Sequence, residues 1–137
     1  MRLAFLALGA ALAAAAAAAA TAAGPVSATM STSSTMPVAE APWRYTITVR
    51  TQAGDPVRAR VRLQALRGSR LLGCWTRTGF VRCSKNAGTW IAISGRRSSA
   101  IVWPPRWVGL ELTFRAVVAT GTHTLVLRAP VTVRTMG

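Results

Sequence analysis

The chain has 137 residues and a formal net charge of +14, from 17 basic side chains, 3 acidic ones and a single histidine. All but one of the basic residues are arginine, Lys85 being the exception. Three scattered carboxylates and one imidazole are a poor stock for paired acid–base chemistry, and two cysteines with one histidine do not fill a tetrahedral zinc site.

The N-terminus places Arg2 ahead of a leucine- and alanine-rich run that ends in small residues at 20–22 and again at 26–28. That order of regions is the pattern of a secretory signal peptide, expected over 1–28. The alternative is an uncleaved N-terminal anchor, because 3–26 carries no charge and is long enough to span a bilayer. No cysteine follows the run, which excludes a lipoprotein anchor at that point. Export would put the protein outside the cell or in its envelope, in an oxidising compartment where disulfides persist. Residues 29–42 are small, polar and proline-punctuated, and are expected as a flexible linker. One folded domain is expected over 43–137.

From Trp43 the pattern has period two. Trp43, Tyr45, Ile47 and Val49 alternate with Arg44, Thr46, Thr48 and Arg50, and after a Gly-Asp-Pro turn Val57, Ala59, Val61, Leu63 and Ala65 alternate with Arg58, Arg60, Arg62 and Gln64. Two half-buried strands joined by a short turn read as a hairpin with one wet face. A five-residue turn would set Arg50 opposite Arg58. Like charges in that relation destabilise a sheet unless an anion bridges them, and guanidinium forks suit phosphate and carboxylate. Arg50, Arg58, Arg60 and Arg62 are therefore a candidate anion-binding strip, with a merely solvated face as the alternative.

Further strand-like runs follow at 71–76, 80–84, 89–94, 100–103, 110–118, 123–128 and 131–135, and Gly, Pro, Asn or Ser separates nearly all of them. No stretch after residue 42 holds a helical period for three turns. The predicted fold is an all-β sandwich of about seven to nine short antiparallel strands.

Both cysteines lie in "CWTRTGFVRC", 74–83. A two-residue turn at Thr78 and Gly79 would pair Arg77 with Phe80, Thr76 with Val81, Trp75 with Arg82 and Cys74 with Cys83. The last pair would then be non-hydrogen-bonded, with Cα atoms roughly 4.5 Å apart, within reach of a disulfide. A redox pair would want Cys-x-x-Cys beside a βαβ pattern, which is missing, and a metal site lacks ligands. The expectation is a structural disulfide. The same register sets Trp75 over Arg82 on the opposite face, as a cross-strand contact or an interaction surface. A second candidate surface is "WPPRW", where Trp103, Arg106 and Trp107 flank two prolines. Such a loop either presents a binding hot spot or plugs the open end of the sandwich.

The segments "YTITVRTQAGDPVRARVRLQ" and "GLELTFRAVVATGTHTLVLRAPVTVR" resemble the opening hairpin and final strands of bacterial immunoglobulin-like domains. The resemblance implies an immunoglobulin-like sandwich that acts as an extracellular structural or adhesive module, and it brings no catalytic residues. The expected function is a non-catalytic structural or interaction module of the cell envelope, needing no cofactor. The alternative is a secreted cationic protein that binds anionic wall polymers or membrane surfaces through its arginine face. Nucleic acid fits poorly, since no recognised binding motif occurs.

Overall fold

Alternation sets the layers. In Pro42–Thr51 every second side chain, Trp43, Tyr45, Ile47 and Val49, is buried while Arg44 and Arg50 face solvent. The same two-residue period puts Leu112, Phe114, Ala116 and Val118 of Glu111–Ala119 inside, because successive strand side chains point to opposite faces. A computed structural model describes residues 18–22, 24–83 and 88–136, which build an all-β sandwich. Its strands are β1 (Ala18–Ala22), β2 (Val26–Thr32), β3 (Pro42–Thr51), β4 (Arg58–Arg67), β5 (Arg70–Thr76), β6 (Gly79–Val81), β7 (Ile91–Ser94), β8 (Arg96–Val102), β9 (Glu111–Ala119) and β10 (Thr124–Thr132). A single 3-10 turn, Pro105–Trp107, precedes β9.

The first sheet runs β1-β2-β3-β8, all antiparallel. The second has β4 at its centre, with β9 and then β10 on one side. On the other side β4 shares its length between two partners, β7 along Arg58 to Val61 and β5 along Gln64 to Arg67, and β6 pairs beyond β5. The chain changes sheets at Gly95, where the β7–β8 ladder shrinks to Ser94 against Arg96. Gly95 holds that corner from both sides. Its N–H donates to the Val57 carbonyl at 3.0 Å, and its carbonyl accepts from the Val49 N–H at 2.8 Å. Its φ is +80°, and a Cβ there would lie 2.6 Å from Cβ of Pro56, so only glycine fits without strain.

Between the sheets lies an aromatic cluster. Trp103 meets Trp43 at 5.4 Å, Phe80 at 5.0 Å and Phe114 at 5.9 Å between ring centroids, spacings at which edge and tilted ring pairs attract. The Trp43 indole N–H, buried with its ring, donates to the Ser34 carbonyl at 2.9 Å.

Three expectations are corrected. The segment 29–42 is not a linker: β2 pairs residue by residue with β3, and Ala28, Met30 and Thr32 point into the core. Its apolar side chains are few, but every second one is small enough or flexible enough to pack. Residues 43–65 are not one hairpin either. β3 and β4 meet only at their turn, through Val57 N–H to the Val49 carbonyl and the bridge of Arg50 with Pro56, and then diverge into different sheets. The runs at 123–128 and 131–135 join in one strand through most of their length, because Pro130 sits on β10, which among the described residues has a ladder with β9 alone. An edge position tolerates the missing N–H. Of the expected leader, 1–17 and 23 lie outside the described residues, while 18–22 form β1 against β2.

Candidate anion-binding face

On β4 the side chains of Arg58, Arg60 and Arg62 leave the core on the same face, roughly 6.8 Å apart along the strand. β9 lies beside them and sets Arg62 against Val117 and Gln64 against Arg115. β10 then sets Arg128 directly across from Arg115. The outer face of the second sheet thus brings together Arg58, Arg60, Arg62, Arg115 and Arg128. A shallow groove of about 580 Å³ runs over it, lined by Arg60, Arg62, Arg115, Trp90, Val117 and Val126 among others. No carboxylate lines this groove. The three acidic residues, Glu40, Asp55 and Glu111, are all exposed and lie in a turn, another turn and the start of β9.

Like charges held this close leave a mark. Partial burial lowers the pKa of Arg62, and the charge of Arg60 adds to that shift. Burial does the same to Arg115, with Arg128 adding. In both cases the folded surroundings disfavour the charged form, though guanidinium stays protonated at any working pH. Contacts offset part of the crowding: Arg115 Nε donates to Gln64 Oε1 at 2.8 Å, and the Trp90 ring takes the guanidinium of Arg62 at 4.0 Å and of Arg60 at 4.8 Å from its centroid. A ring quadrupole attracts such cations.

The disulfide frames one end of the face. Cys74 and Cys83 are bonded, with Cα atoms 5.8 Å apart. The hairpin register differs from the expected one by two residues. Cys74 lies opposite Val81, Trp75 opposite Phe80 and Thr76 opposite Gly79, so the turn centres on Arg77 and Thr78, and Cys83 bonds from just beyond β6. Cys74 neighbours Gln64 across β4, and Gln64 is fully buried although its side chain belongs to the outer face. Gly88 then passes so near that a Cβ on it would meet Cβ of Cys74 at 3.0 Å, and the Thr89 N–H donates to the Trp75 carbonyl at 3.2 Å. Those contacts deliver Trp90 onto the arginines.

The predicted site residues divide accordingly. Arg58, Arg60 and Arg62 share the expected face. Arg50 does not join them: it bridges to Pro56, and its Nη1 donates to the Gly54 carbonyl at 3.1 Å, because β3 belongs to the other sheet. Trp75 packs on Phe80 with centroids 5.2 Å apart and not on Arg82, which is exposed past the end of β6. Trp103 and Trp107 retain 0% and 5% exposure, so the two indoles plug the core, while Pro105 and Arg106 between them stay outside, with Arg106 5.1 Å over the Trp107 ring. Trp90, Arg115 and Arg128 were not singled out by the sequence. The alternation that could have found them is present, with Ile91 and Ile93 turned from Trp90, and Phe114 and Ala116 from Arg115. Which strands lie side by side is not written in that alternation.

His123, in the β9–β10 turn, has Nδ1 2.7 Å from Thr122 Oγ1. Among the described residues, no three His, Cys, Asp or Glu side chains stand together as a metal site would need, and no helix is long and apolar enough to cross a membrane. A disulfide is the mark of an oxidising environment.

No family model matches the chain, and neither does any curated protein. Among solved structures, a calcium-binding mutant of Bacteroides uniformis beta-glucuronidase 2 is similar over 74% of this chain at 16% identity and a TM-score of 0.30. The matched region spans 12% of that enzyme.

Proposed function

We propose that this protein is an exported, non-catalytic binding module of the cell envelope that holds an anionic polymer on the outer face of its second sheet. The carrying observation is the row of guanidinium groups on β4, β9 and β10, whose groove has no carboxylate in its lining. Bringing like charges together costs folding energy unless a ligand supplies the counter-charge. Phosphate and carboxylate are the ligands that arginine forks fit. Export is supported by the charged, apolar and small-residue order of the N-terminus and by the disulfide. The strand order supports an immunoglobulin-like module, since β3 beside β8 in one sheet and β4 beside β9 and β10 in the other follow the Greek-key arrangement of that sandwich.

The test is retention on polyphosphate and on anionic vesicles, with the double variant Arg60→Gln/Arg62→Gln beside the wild type. The variant should bind both at least about tenfold more weakly at low salt, as expected for lost charge-assisted contacts, and wild-type binding should weaken as salt rises. Vesicle binding without polyphosphate binding would assign the face to lipid headgroups. Equal binding by the variant would remove the face from the function.

A further inference from the structure

Of the five tryptophans, Trp43, Trp103 and Trp107 are buried in the core, at 3%, 0% and 5% exposure. Trp75 and Trp90 keep part of their surface in solvent, and both line one cleft of about 440 Å³. Its origin is topological. β4 is paired with β5 at Gln64 and with β7 at Val61, so near Arg62 it passes from one partner to the other. β5 parts from β4 there and continues with β6 as a hairpin whose Phe80 packs into the core, while β7 takes over the ladder. The split between them is bounded by Trp75, Thr76 and Arg77 of the hairpin, by residues 89–92, and by Arg97 of β8.

The lining defines what fits. The Trp75 ring is braced on Phe80, and Trp90 is held by Arg60 and Arg62, so both indoles stand ready without a ligand. Arg77 sits exposed at the hairpin turn, and Arg97, also exposed, has Nε 3.4 Å from the Tyr45 hydroxyl. Guanidinium groups only donate, and no carboxylate is in the lining, so the ligand must bring acceptors and negative charge. Indoles and cations on one small cleft suit a group with an apolar face, polar edges and an anionic substituent. The volume lies in the range of small-molecule sites. A strand of nucleic acid would want stacking platforms repeated along a groove, whereas here both indoles serve a single cleft.

We infer that the split between the β5–β6 hairpin and β7 is a binding site for a sugar ring carrying an anionic group. Trp90 also lines the arginine groove, so one glycan chain can lie across the outer face and seat a unit in the cleft. The inference rests on the polyanion reading for the rest of that chain, but not for the cleft itself.

The experiment titrates the full-length protein with a galacturonate oligomer, a neutral malto-oligomer, polyphosphate and oligothymidylate, following tryptophan fluorescence. Glucose 6-phosphate is added to separate phosphate from carboxylate as the anionic group. The galacturonate oligomer should bind more tightly than the neutral one. Arg77→Gln, at an exposed turn, and Trp75→Phe, which keeps an aromatic ring beside Phe80, should each weaken it about tenfold while leaving polyphosphate binding unchanged. Galacturonate affinity unmoved by both substitutions would overturn the inference, as would equal affinity for the neutral oligomer or tighter binding of oligothymidylate. A wild type that ignores polyphosphate yet binds galacturonate through Trp75 and Arg77 would sustain the cleft and remove the outer-face reading.

Discussion

The corner glycine shows how much one residue decides. Gly95 lets the strand leave one sheet at Ser94 and enter the other at Arg96, and its two backbone hydrogen bonds tie β3 to the start of β4. An alanine there meets two penalties, a left-handed backbone and a methyl 2.6 Å from Pro56. Left-handed geometry costs about 1–2 kcal/mol for a residue with a Cβ, and overpacking adds roughly 1–3 kcal/mol. Gly95→Ala should therefore lower the melting temperature by on the order of 10 °C or more, measured by circular dichroism. Gly121, in the β9–β10 turn, has open space around its Cβ position, so Gly121→Ala is the control that should melt close to wild type. Gly95 was visible in the sequence only as a break between two strand-like runs. Its role depends on Pro56, nearly forty residues away, and no local pattern carries that contact.

At the scale of elements, what could be read was direction, and what could not was partnership. The alternation of Trp43 to Val49 and of Val57 to Ala65 sorted inward from outward residues, except that Gln64, read as outward on a wet face, is fully buried. It could not say that the two strands lie in different sheets, because an arch and a hairpin have the same period. β2 escaped for another reason. Its inward residues, Ala28, Met30 and Thr32, do alternate with the polar Ser27, Thr29 and Ser31, but only Ala28 and Met30 carry the contrast and neither is β-branched or aromatic. The short pattern is therefore hidden among the serines and threonines around it, yet burial of all three against β3 makes β2 part of the core. That placement bears on export. Cleavage after residue 28 would strip Val26, Ser27 and Ala28 from their pairing with Thr51, Arg50 and Val49 and remove an alanine with 0% exposure. Cleavage at the small residues near 20–22 would leave β2 whole. In an exporting host, the mature protein should begin ahead of Val26, and intact mass measurement checks it. A mature chain starting at Thr29 would mean that the fold stands without the first half of β2.

For the whole molecule, the excess of arginine bears on stability as well as on the proposed binding. A cationic group whose pKa is lower in the folded than in the unfolded chain binds its proton less tightly when folded, so its charge counts against folding wherever it is protonated. Arg62 and Arg115 are in that position. The sign follows: their unfavourable contribution is present throughout the ordinary pH range and would be relieved only as pH rises through the guanidinium range, so titrating the solution offers no relief. Counter-charge does. A ligand that binds the folded face stabilises by mass action, and a polyanion also screens the repulsion of Arg60 with Arg62 and of Arg115 with Arg128. Polyphosphate should therefore raise the melting temperature by several degrees at low ionic strength. The gain should shrink as salt approaches physiological strength, where the Debye length falls to about 8 Å. Arg62→Gln separates this from nonspecific protection. If the crowded face is responsible, the variant melts at or above wild type without ligand and gains less from polyphosphate. A variant that gains as much as wild type would place the charge coupling elsewhere on the molecule.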